Sequence, residues 1–391
     1  MFSERTNWRL AQNRFTQAVE EVRAAGKKIF DLTASNPTRV GLEYDAVAIL
    51  KAMGSTRALD YDPQAKGLLE AREAVADYYR AEHGICGLDA ERIVLTTSTS
   101  EGYSFVFRLL CNAGDELLVP KPSYPLFEFL ADLQDVKLAP YPLIYDHGWQ
   151  MDFPSLEKAV TKRTRGVVVV HPNNPTGSYV HADEMPILNG FCREHELALI
   201  VDEVFLDYRL DEAPRVSFAG NQEVLTFTLS GLSKISALPQ MKVAWVVTSG
   251  PPEEVAAAMG RLEVIADTYL SMNAPVQWAM PALLHQRKNI QRQLLARVRK
   301  NLAELDRQLT GQQACQRLSV EGGWYVVLRV PVTRLDEELA IALVREKAVV
   351  VHPGHFYDFP RDGYLVLSLI TPEREFGDGI ARVMEFFVDR P

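Results

Sequence analysis

Residues 224–234 read VLTFTLSGLSK, an apolar run that ends in small and hydroxyl residues and a lysine. A continuous apolar run of this length is typical of a strand buried on both faces, and it places Lys234 just past the end of that strand. Partial burial disfavours the ammonium form and lowers the pKa of the lysine, which suits an amine that forms a Schiff base. For Lys234 taken alone, the alternative is a surface lysine after a strand.

Two further motifs precede this lysine along the chain. Residues 171–177 read HPNNPTG and residues 201–205 read VDEVF. Together with the lysine segment, they resemble the fold-type I pyridoxal-phosphate (PLP) enzymes of the class I/II aminotransferase family. The resemblance covers nearly the whole chain, from Asn36 to Leu369, and the order, spacing and strand placement of the motifs agree with it. It implies a PLP cofactor.

The bulk composition is that of a globular enzyme. The chain has 391 residues, enough for two domains, with 47% hydrophobic and 24% charged residues and a net charge of −9. This charge argues against a nucleic-acid partner. No apolar run approaches the roughly 20 residues of a membrane span, and the start lacks the apolar core of a signal peptide. Four scattered cysteines without metal-ligand spacing indicate reduced thiols, a cytoplasmic location and no metal site. They are Cys86, Cys111, Cys192 and Cys315.

Seven short apolar runs separated by helical stretches predict the main architecture. Most of the runs are β-branched and bounded by turn residues, which favours a mostly parallel seven-stranded sheet between helices in a large α/β domain. The runs are Ile93–Thr97, Glu116–Val119, Val136–Leu138, Val167–Val170, Ala198–Val201, Val224–Leu229 and Val243–Thr248.

The two ends of the chain predict a smaller α+β domain. Spaced apolar residues predict a helix over residues 7–25, and a long charged helix around 285–310 leads into three strands, at 324–330, 349–351 and 364–369. We expect residues 1–45 to join the small domain, 46–285 to form the large PLP-binding domain, and 286–391 to form the small domain. The resemblance implies the same fold-type I PLP transferase architecture.

A phosphate needs backbone donors and positive charge. Ser98 and Glu101 have capping-box spacing after the strand at 93–97, so a helix should start here and present free N–H groups to an anion. A capped helix without a ligand is the alternative for this feature alone. The segment matches the phosphate loop of the family, which makes Thr99 and Ser100 the expected phosphate contacts.

The ring nitrogen of PLP needs an anion to stay protonated. Asp202 ends the apolar run 197–201, so its carboxylate should lie at the carboxyl end of a buried strand, the edge where open α/β sheets bind ligands. A salt-bridged loop aspartate is the alternative. The family resemblance assigns the pyridinium contact to Asp202.

Three more contacts follow from the resemblance. Asn174, directly before Pro-Thr-Gly, matches the asparagine that donates to the phenolic oxygen of the cofactor. Tyr124 matches the aromatic residue that stacks on the ring. Tyr61 matches a tyrosine that reaches the phosphate of the neighbouring subunit, which implies a homodimer.

Two departures from the family pattern concern the phosphate. Lys242 stands where the family commonly has an arginine, so the charge is kept and the bidentate fork is lost. Gly231 replaces a serine that often contacts the phosphate, and Ser230 and Ser233 are close enough in sequence to substitute for it.

Two more departures concern the ring and the substrate. Phe205 replaces a tyrosine that bonds the phenolic oxygen. Val366, in the run YLVLS, replaces the arginine that grips the α-carboxylate of the substrate. We therefore expect either another cation or a different substrate group there, with Arg329, Arg361, Arg374 or the backbone N–H groups near Ser35 as candidates. On Val366 alone, aspartate, glutamate and alanine should bind poorly.

The predicted function is transamination by a PLP-dependent enzyme of the class I/II family. Lys234 would hold PLP as a Schiff base and carry a proton, Asp202 would keep the ring protonated, and an amine or amino acid would react in turn with a 2-oxo acid. A PLP-dependent lyase, decarboxylase or racemase on the same fold is one alternative. A non-catalytic PLP-binding module is another.

Overall fold

A computed structural model describes residues 1–8 and 10–388. Its strands are β1 Phe30–Asp31, β2 Ile93–Thr96, β3 Glu116–Lys121, β4 Lys137–Tyr145, β5 Trp149–Met151, β6 Thr164–Val170, β7 Ala198–Asp202, β8 Thr226–Gly231, β9 Ala244–Ser249, β10 Gln316–Arg317, β11 Tyr325–Arg329, β12 Val349–Val350, β13 His352–Pro353 and β14 Tyr364–Ser368. Its α-helices are α1 Arg14–Ala24, α2 Ala46–Met53, α3 Leu69–His83, α4 Thr99–Leu110, α5 Phe127–Asp132, α6 Phe153–Ala159, α7 Glu184–Glu194, α8 Leu232–Ile235, α9 Pro252–Tyr269, α10 Ala274–Leu309, α11 Asp336–Ala342 and α12 Glu373–Val388.

A large mixed sheet forms the centre of the chain. Its strand order is β2-β9-β8-β7-β6-β3-β4-β5. Strands β4, β3, β6, β7 and β8 are parallel neighbours, whereas β9 and β5 run antiparallel to the strands beside them. Separate apolar clusters pack helices α4 and α9 on one side and α3 and α10 on the other. The predicted α/β fold with a mostly parallel sheet between helices is confirmed.

The sheet has one strand more than the sequence predicts. β5 folds back on β4 as a short antiparallel hairpin. The apolar signal at 136–138 marks only the start of β4, which continues for nine residues through partly exposed positions. Because β4 and β5 lie near the edge of the sheet and are not buried on both faces, they lack the continuous apolar run on which the prediction relied.

The ends of the chain pack together beside this sheet. Strands β10, β11, β14 and β13 form an antiparallel sheet, and β1 pairs in parallel with β12. One apolar cluster joins Phe15, Val22 and Leu32 of the N-terminal segment to residues of β11, β14 and α12. The three strands predicted at 324–330, 349–351 and 364–369 are all present.

The N-terminal helix is shorter than predicted. Helix α1 begins at Arg14, because the Asn13 side chain accepts a hydrogen bond from the Thr16 N–H and caps the helix there. The predicted helix over residues 7–25 was therefore wrong in its first turns, and Arg9 lies outside the described residues. At the other end of the chain, α10 begins at Ala274, eleven residues before the predicted start, and the predicted small-domain range 286–391 includes residues 389–391, which also lie outside the described part.

The sheet topology brings several chain segments to one edge. The carboxyl ends of β6, β7 and β8 lie at the same edge because these strands are parallel. Strand β2 runs in the same direction as β8, since both are antiparallel to β9. The start of α4, Asp202 and the segment that carries Lys234 therefore meet at this edge. None of the described helices is both long and apolar enough to cross a membrane.

Candidate active site

A cavity of about 320 Å³ opens at the carboxyl edge of the large sheet. It contains eight of the nine residues that the sequence predicts for the site: Thr99, Ser100, Tyr124, Asn174, Asp202, Ser233, Lys234 and Lys242. The remaining lining residues are Ser35, Thr97, Ser98, Val170, Val204, Phe205, Pro239, Val243 and Tyr325. Residues that are up to 290 positions apart in the sequence thus form one pocket.

Lys234 lies in the short helix α8, directly after β8. Its backbone oxygen accepts a hydrogen bond of 2.6 Å from the Tyr208 hydroxyl, which fixes this turn against the protein. Its amine lies 5.1 Å from the centre of the Trp324 ring and 5.6 Å from that of Phe205. Burial lowers the pKa of the amine to about 8, and the negative charge of Asp202 opposes this shift. The amine is therefore easier to deprotonate than an ordinary lysine.

Asp202 ends β7 as a buried carboxylate. One oxygen accepts from the Val204 N–H at 3.0 Å, and the other accepts from the Tyr103 hydroxyl at 3.1 Å. Burial raises the pKa of Asp202 to about 6, while these hydrogen bonds and the charge of Lys234 act in the opposite direction. A cationic N–H donor in the cavity would favour the ionised carboxylate further.

One end of the cavity is suited to an anion. Ser98 caps α4 by accepting the Glu101 N–H at 3.2 Å, so the predicted helix start is correct. The first turn of α4 leaves backbone N–H groups free near Thr99 and Ser100. Lys242 is exposed, and its side chain makes no ion pair within the described parts of the chain. A phosphate at this end would meet backbone donors, hydroxyls and a positive charge.

Asn174 is presented by a tight turn. The Asn173 N–H bonds the Ser178 oxygen at 2.7 Å, and the Gly177 N–H bonds the Asn173 oxygen at 2.8 Å. Gly177 has φ +71°, and an added Cβ would lie 2.5 Å from the Gly322 oxygen, so glycine is required on both counts. The side-chain oxygen of Asn174 is buried and has no hydrogen-bond partner among the described residues.

The other walls of the cavity are aromatic. Phe205 is buried and packs edge-on against Trp324 at 5.1 Å and Tyr325 at 6.3 Å between ring centres. Tyr124 packs edge-on against Phe127 at 5.9 Å, and burial raises the pKa of its hydroxyl to about 12. The walls formed by Phe205 and Tyr124 are neutral rings. The charged groups of the cavity therefore lie at Lys234, at Asp202 and at the anion end.

The two serines proposed as substitutes at Gly231 differ in position. Ser233 lines the cavity, whereas Ser230 is buried and its hydroxyl faces the Glu203 oxygen at 3.4 Å, so Ser230 was wrong as a substitute. At Gly231 an added Cβ would lie 2.8 Å from the Val243 oxygen and 2.9 Å from Ala244. Strands β8 and β9 approach too closely there for any side chain.

Tyr61 lies outside this cavity. Its side chain is 85% exposed, and it borders a separate surface cavity together with Arg57, Leu270 and Trp278. Within one chain, therefore, Tyr61 does not meet the other predicted site residues.

The three candidate arginines also lie away from the cavity. Tyr325 of β11 lines it, but Arg329 is four residues further along the strand, about 13 Å away. Arg361 donates to the Tyr364 hydroxyl at 3.1 Å, at the same far end of the sheet. Arg374 is exposed on α12, near Asp378. Val366 itself is buried within β14.

The residues present fit PLP. A lysine amine with a lowered pKa, a buried carboxylate, the side-chain amide of Asn174 and an anion-binding helix start surround one cavity. These groups correspond to the aldehyde, the ring nitrogen, the phenolic oxygen side and the phosphate. Among residues 1–8 and 10–388 no cluster of metal-ligating side chains is found.

Sequence reasoning missed two residues of the site, one that supports Asp202 and one that lines the cavity. Tyr103 bonds Asp202 from the second turn of α4, and Tyr325 reaches the cavity from β11. Tyr103 is four residues after Thr99, so helical periodicity places it one turn further along the same face, and this spacing was a usable signal. Nothing local marks Tyr325, because its position depends on how two sheets pack.

Comparisons with known proteins agree with this geometry. The family model for aminotransferase class I and II matches residues 10–374. An alanine aminotransferase of Mycobacterium tuberculosis is 27% identical over 380 residues, 95% of this chain and 88% of the relative. Glutamate-pyruvate aminotransferase AlaA of Escherichia coli K12 is 26% identical, over 88% of this chain and 87% of the relative. The solved alanine aminotransferase from Pyrococcus furiosus has a TM-score of 0.90 at 21% identity, with all of both chains covered. The chain therefore belongs to the class I and II aminotransferase family and is a PLP-dependent transferase.

Proposed function

We propose that Lys234 is the residue that binds PLP covalently and that the enzyme transfers the amino group of an amino acid to a 2-oxo acid. The single observation that carries the assignment is the meeting of Lys234, Asp202 and the start of α4 in one cavity. When bound, PLP supplies an aldehyde that condenses with amines and a ring that accepts electrons from the substrate carbon.

Each remaining residue has a defined task in this proposal. The N-terminus of α4 with Thr99, Ser100, Ser233 and Lys242 binds the phosphate. Tyr124 provides a flat surface for the ring, and Asn174 bonds its phenolic oxygen. These contacts hold the reacting carbon at a fixed position in the cavity, which is the main requirement for selective chemistry on it.

Lys234 acts as the base of the reaction, and Asp202 keeps the ring nitrogen protonated. The Lys234 amine, once free, would take a proton from the substrate carbon and return it to the carbon of the former aldehyde group, and its lowered pKa keeps it competent as a base near neutral pH. Asp202 holds the proton of the ring nitrogen, and Tyr103 and the Val204 N–H fix the orientation of its carboxylate. The aromatic residues Phe205 and Tyr325 exclude water from this side.

The names of the relatives suggest the substrates. Several are alanine or glutamate-pyruvate aminotransferases, so we propose small or dicarboxylic amino acids as donors and pyruvate or a similar 2-oxo acid as acceptor. The test is a pair of half-reactions on the PLP-loaded protein. L-Alanine should bleach the visible band in one turnover, and adding 2-oxoglutarate should restore it. Product formed from amino acid alone in large excess over the enzyme, without any 2-oxo acid, would indicate a lyase instead.

We also propose a homodimer in which Tyr61 reaches the phosphate site of the second subunit. The high exposure of Tyr61, of Leu59 (86%) and of Tyr269 (50%) supports this, since apolar side chains exposed near one another favour an interface.

A cytoplasmic location is supported by the four cysteines, which are all free. We propose the large domain at 46–285 and the small one from 1–45 and 286–391, and the shared apolar cluster of both chain ends supports this division.

A further inference from the structure

The proposed reaction leaves one substrate group without a partner. An amino acid and a 2-oxo acid both carry a carboxylate next to the reacting carbon, and the family arginine for it is replaced by Val366, buried in β14. Among the described residues that line the cavity, the cations are Lys234 and Lys242, and both already have tasks. Apart from the backbone N–H groups near Ser35, a partner for the carboxylate would have to be a cation outside the cavity lining.

The rim next to Val366 is formed by the N-terminal segment. The backbone N–H of Ser368, two residues after Val366, bonds the Leu32 oxygen at 2.7 Å, and the Ser368 hydroxyl bonds the Ala34 oxygen. Val366 and Ser368 lie on the same face of β14, because side chains alternate along a strand. The following residue, Ser35, lines the cavity. The segment 32–35 thus runs from β14, in which Val366 replaces the family arginine, to the edge of the cavity.

A short rigid turn follows Ser35 and carries a free arginine. Residues Pro37–Arg39 form a 3-10 helix. The Asn36 side chain accepts from the Thr38 N–H at 3.0 Å and from its hydroxyl at 2.8 Å, and the Arg39 N–H bonds the Asn36 oxygen at 3.1 Å. These bonds fix the backbone of Arg39, which follows the cavity residue Ser35 by four positions.

The guanidinium of Arg39 is exposed and makes no hydrogen bond or ion pair to any residue that the structure describes. Two other cations each have a partner. Arg297 donates to the Val40 oxygen, and Lys121 pairs with Asp358 at 3.1 Å. Arg39 is thus four residues from Ser35 of the cavity wall and has a complete set of free donors, the fork that carboxylates bind in a bidentate manner.

We propose that Arg39 binds the carboxylate of the amino-acid and 2-oxo-acid substrates, in place of the arginine missing at Val366. This proposal rests on the proposed transamination for the identity of the ligand. It opposes the expectation drawn from Val366 alone, that ordinary amino acids bind poorly, because it supplies the missing charge from another element. It also places the specificity of the enzyme in the segment 35–39.

The test measures equilibrium binding to the PLP-loaded protein by calorimetry. The ligands are pyruvate, which carries the carboxylate, and pyruvamide, its neutral isostere. The variants are Arg39→Gln, Arg39→Lys and the control Arg361→Gln, whose arginine lies at the far end of the C-terminal sheet. Arg39 is exposed, so its replacement should leave the fold intact.

Arg39→Gln should raise the Kd for pyruvate roughly 10- to 100-fold, the usual effect of losing a charged hydrogen-bond partner. The Kd for pyruvamide should stay unchanged, Arg39→Lys should recover part of the loss, and Arg361→Gln should bind both ligands as the natural protein does. Unchanged pyruvate binding in Arg39→Gln, or an equal loss for both ligands, would overturn the proposal.

The same proteins separate this proposal from the proposed function. If Arg39 governs pyruvate binding but L-alanine transfers no amino group to a 2-oxo acid, the carboxylate site stands and transamination fails. If transamination proceeds with Arg39→Gln as efficiently as with the natural protein, transamination stands and the role of Arg39 is rejected.

Discussion

At the scale of single residues, the site depends on one buried pair of opposite charges. Burial pushes the pKa of Lys234 down to about 8 and that of Asp202 up to about 6, and each charge opposes the shift of the other. Both shifts follow from removing charged groups from water. Between these two pH values, both side chains are mainly ionised. Above pH 8, Lys234 is increasingly a neutral amine.

This pair makes capture of PLP by the cofactor-free protein depend on pH. Only the neutral Lys234 amine attacks the aldehyde, so the capture rate should rise with pH through a midpoint near 8. Asp202→Asn removes the charge that raises the pKa of Lys234, so its midpoint should move to lower pH. Stopped-flow absorbance across pH 6–10 measures both. A midpoint that stays in place in Asp202→Asn would show that the two groups do not interact.

Phe205 provides a second prediction at this scale. In Phe205→Tyr the new hydroxyl should donate to the phenolic oxygen of PLP and stabilise its anionic form. The visible band should then titrate at a lower pH than in the natural protein, by about one pKa unit, which corresponds to about 1.4 kcal/mol. A spectrophotometric titration of the two holoenzymes decides this. Coinciding midpoints would mean that another donor already serves this oxygen.

At the scale of elements, contacts between turns help to position the site residues at the strand ends. The turn that carries Asn174 docks on the loop before β11, where the N–H groups of Glu321 and Gly322 both bond the Gly177 oxygen, at 3.2 and 2.9 Å. The Lys234 turn is held in a similar way by Tyr208 from outside β8. Positioning of the two residues therefore depends on contacts between distant segments.

A glycine pair tests the first of these turns. Gly177→Ala adds a Cβ 2.5 Å from the Gly322 oxygen at a residue with φ +71°, and it should lower the free energy of unfolding by about 2–4 kcal/mol. Gly190→Ala is the control. Gly190 lies within α7, and its Cβ would meet nothing within 4 Å, so this change should stabilise the protein by about 0.5–1 kcal/mol. Urea unfolding measures both, and equal effects would argue against the docked turn.

Strands that are fully buried were predicted from the sequence more accurately than strands that are partly exposed. Strands such as β7 and β8 are buried on every residue and were found with nearly correct ends, because full burial makes the apolar run continuous and its limits visible in the sequence. Strand β5, with an exposed middle residue, was missed. Site residues at the ends of buried strands, such as Asp202, could be placed from the sequence. Tyr325 could not, because its position depends on the packing of two sheets.

At the scale of the whole molecule, the proposal is that two chains build each active site. Tyr61→Phe should weaken PLP retention by roughly 5- to 30-fold, since one hydrogen bond to a phosphate is worth about 1–2 kcal/mol. The variant should sediment as a dimer like the natural protein. Mixing the two variants Tyr61→Phe and Lys234→Ala should give some mixed dimers. In such a dimer, one active site combines the Lys234 of the first subunit with the Tyr61 of the second, so this site is natural in both residues. A monomer by analytical ultracentrifugation at micromolar concentration would contradict the shared site.

The central claim is that Lys234 holds the cofactor. The most direct measurement is borohydride reduction of the PLP-loaded protein, followed by proteolysis and mass-spectrometric mapping of the phosphopyridoxyl label. The account predicts one labelled peptide, with the modification on Lys234, and no stable labelling of Lys234→Ala. A label on Lys242, the other lysine of the cavity, or undiminished labelling of Lys234→Ala would contradict it.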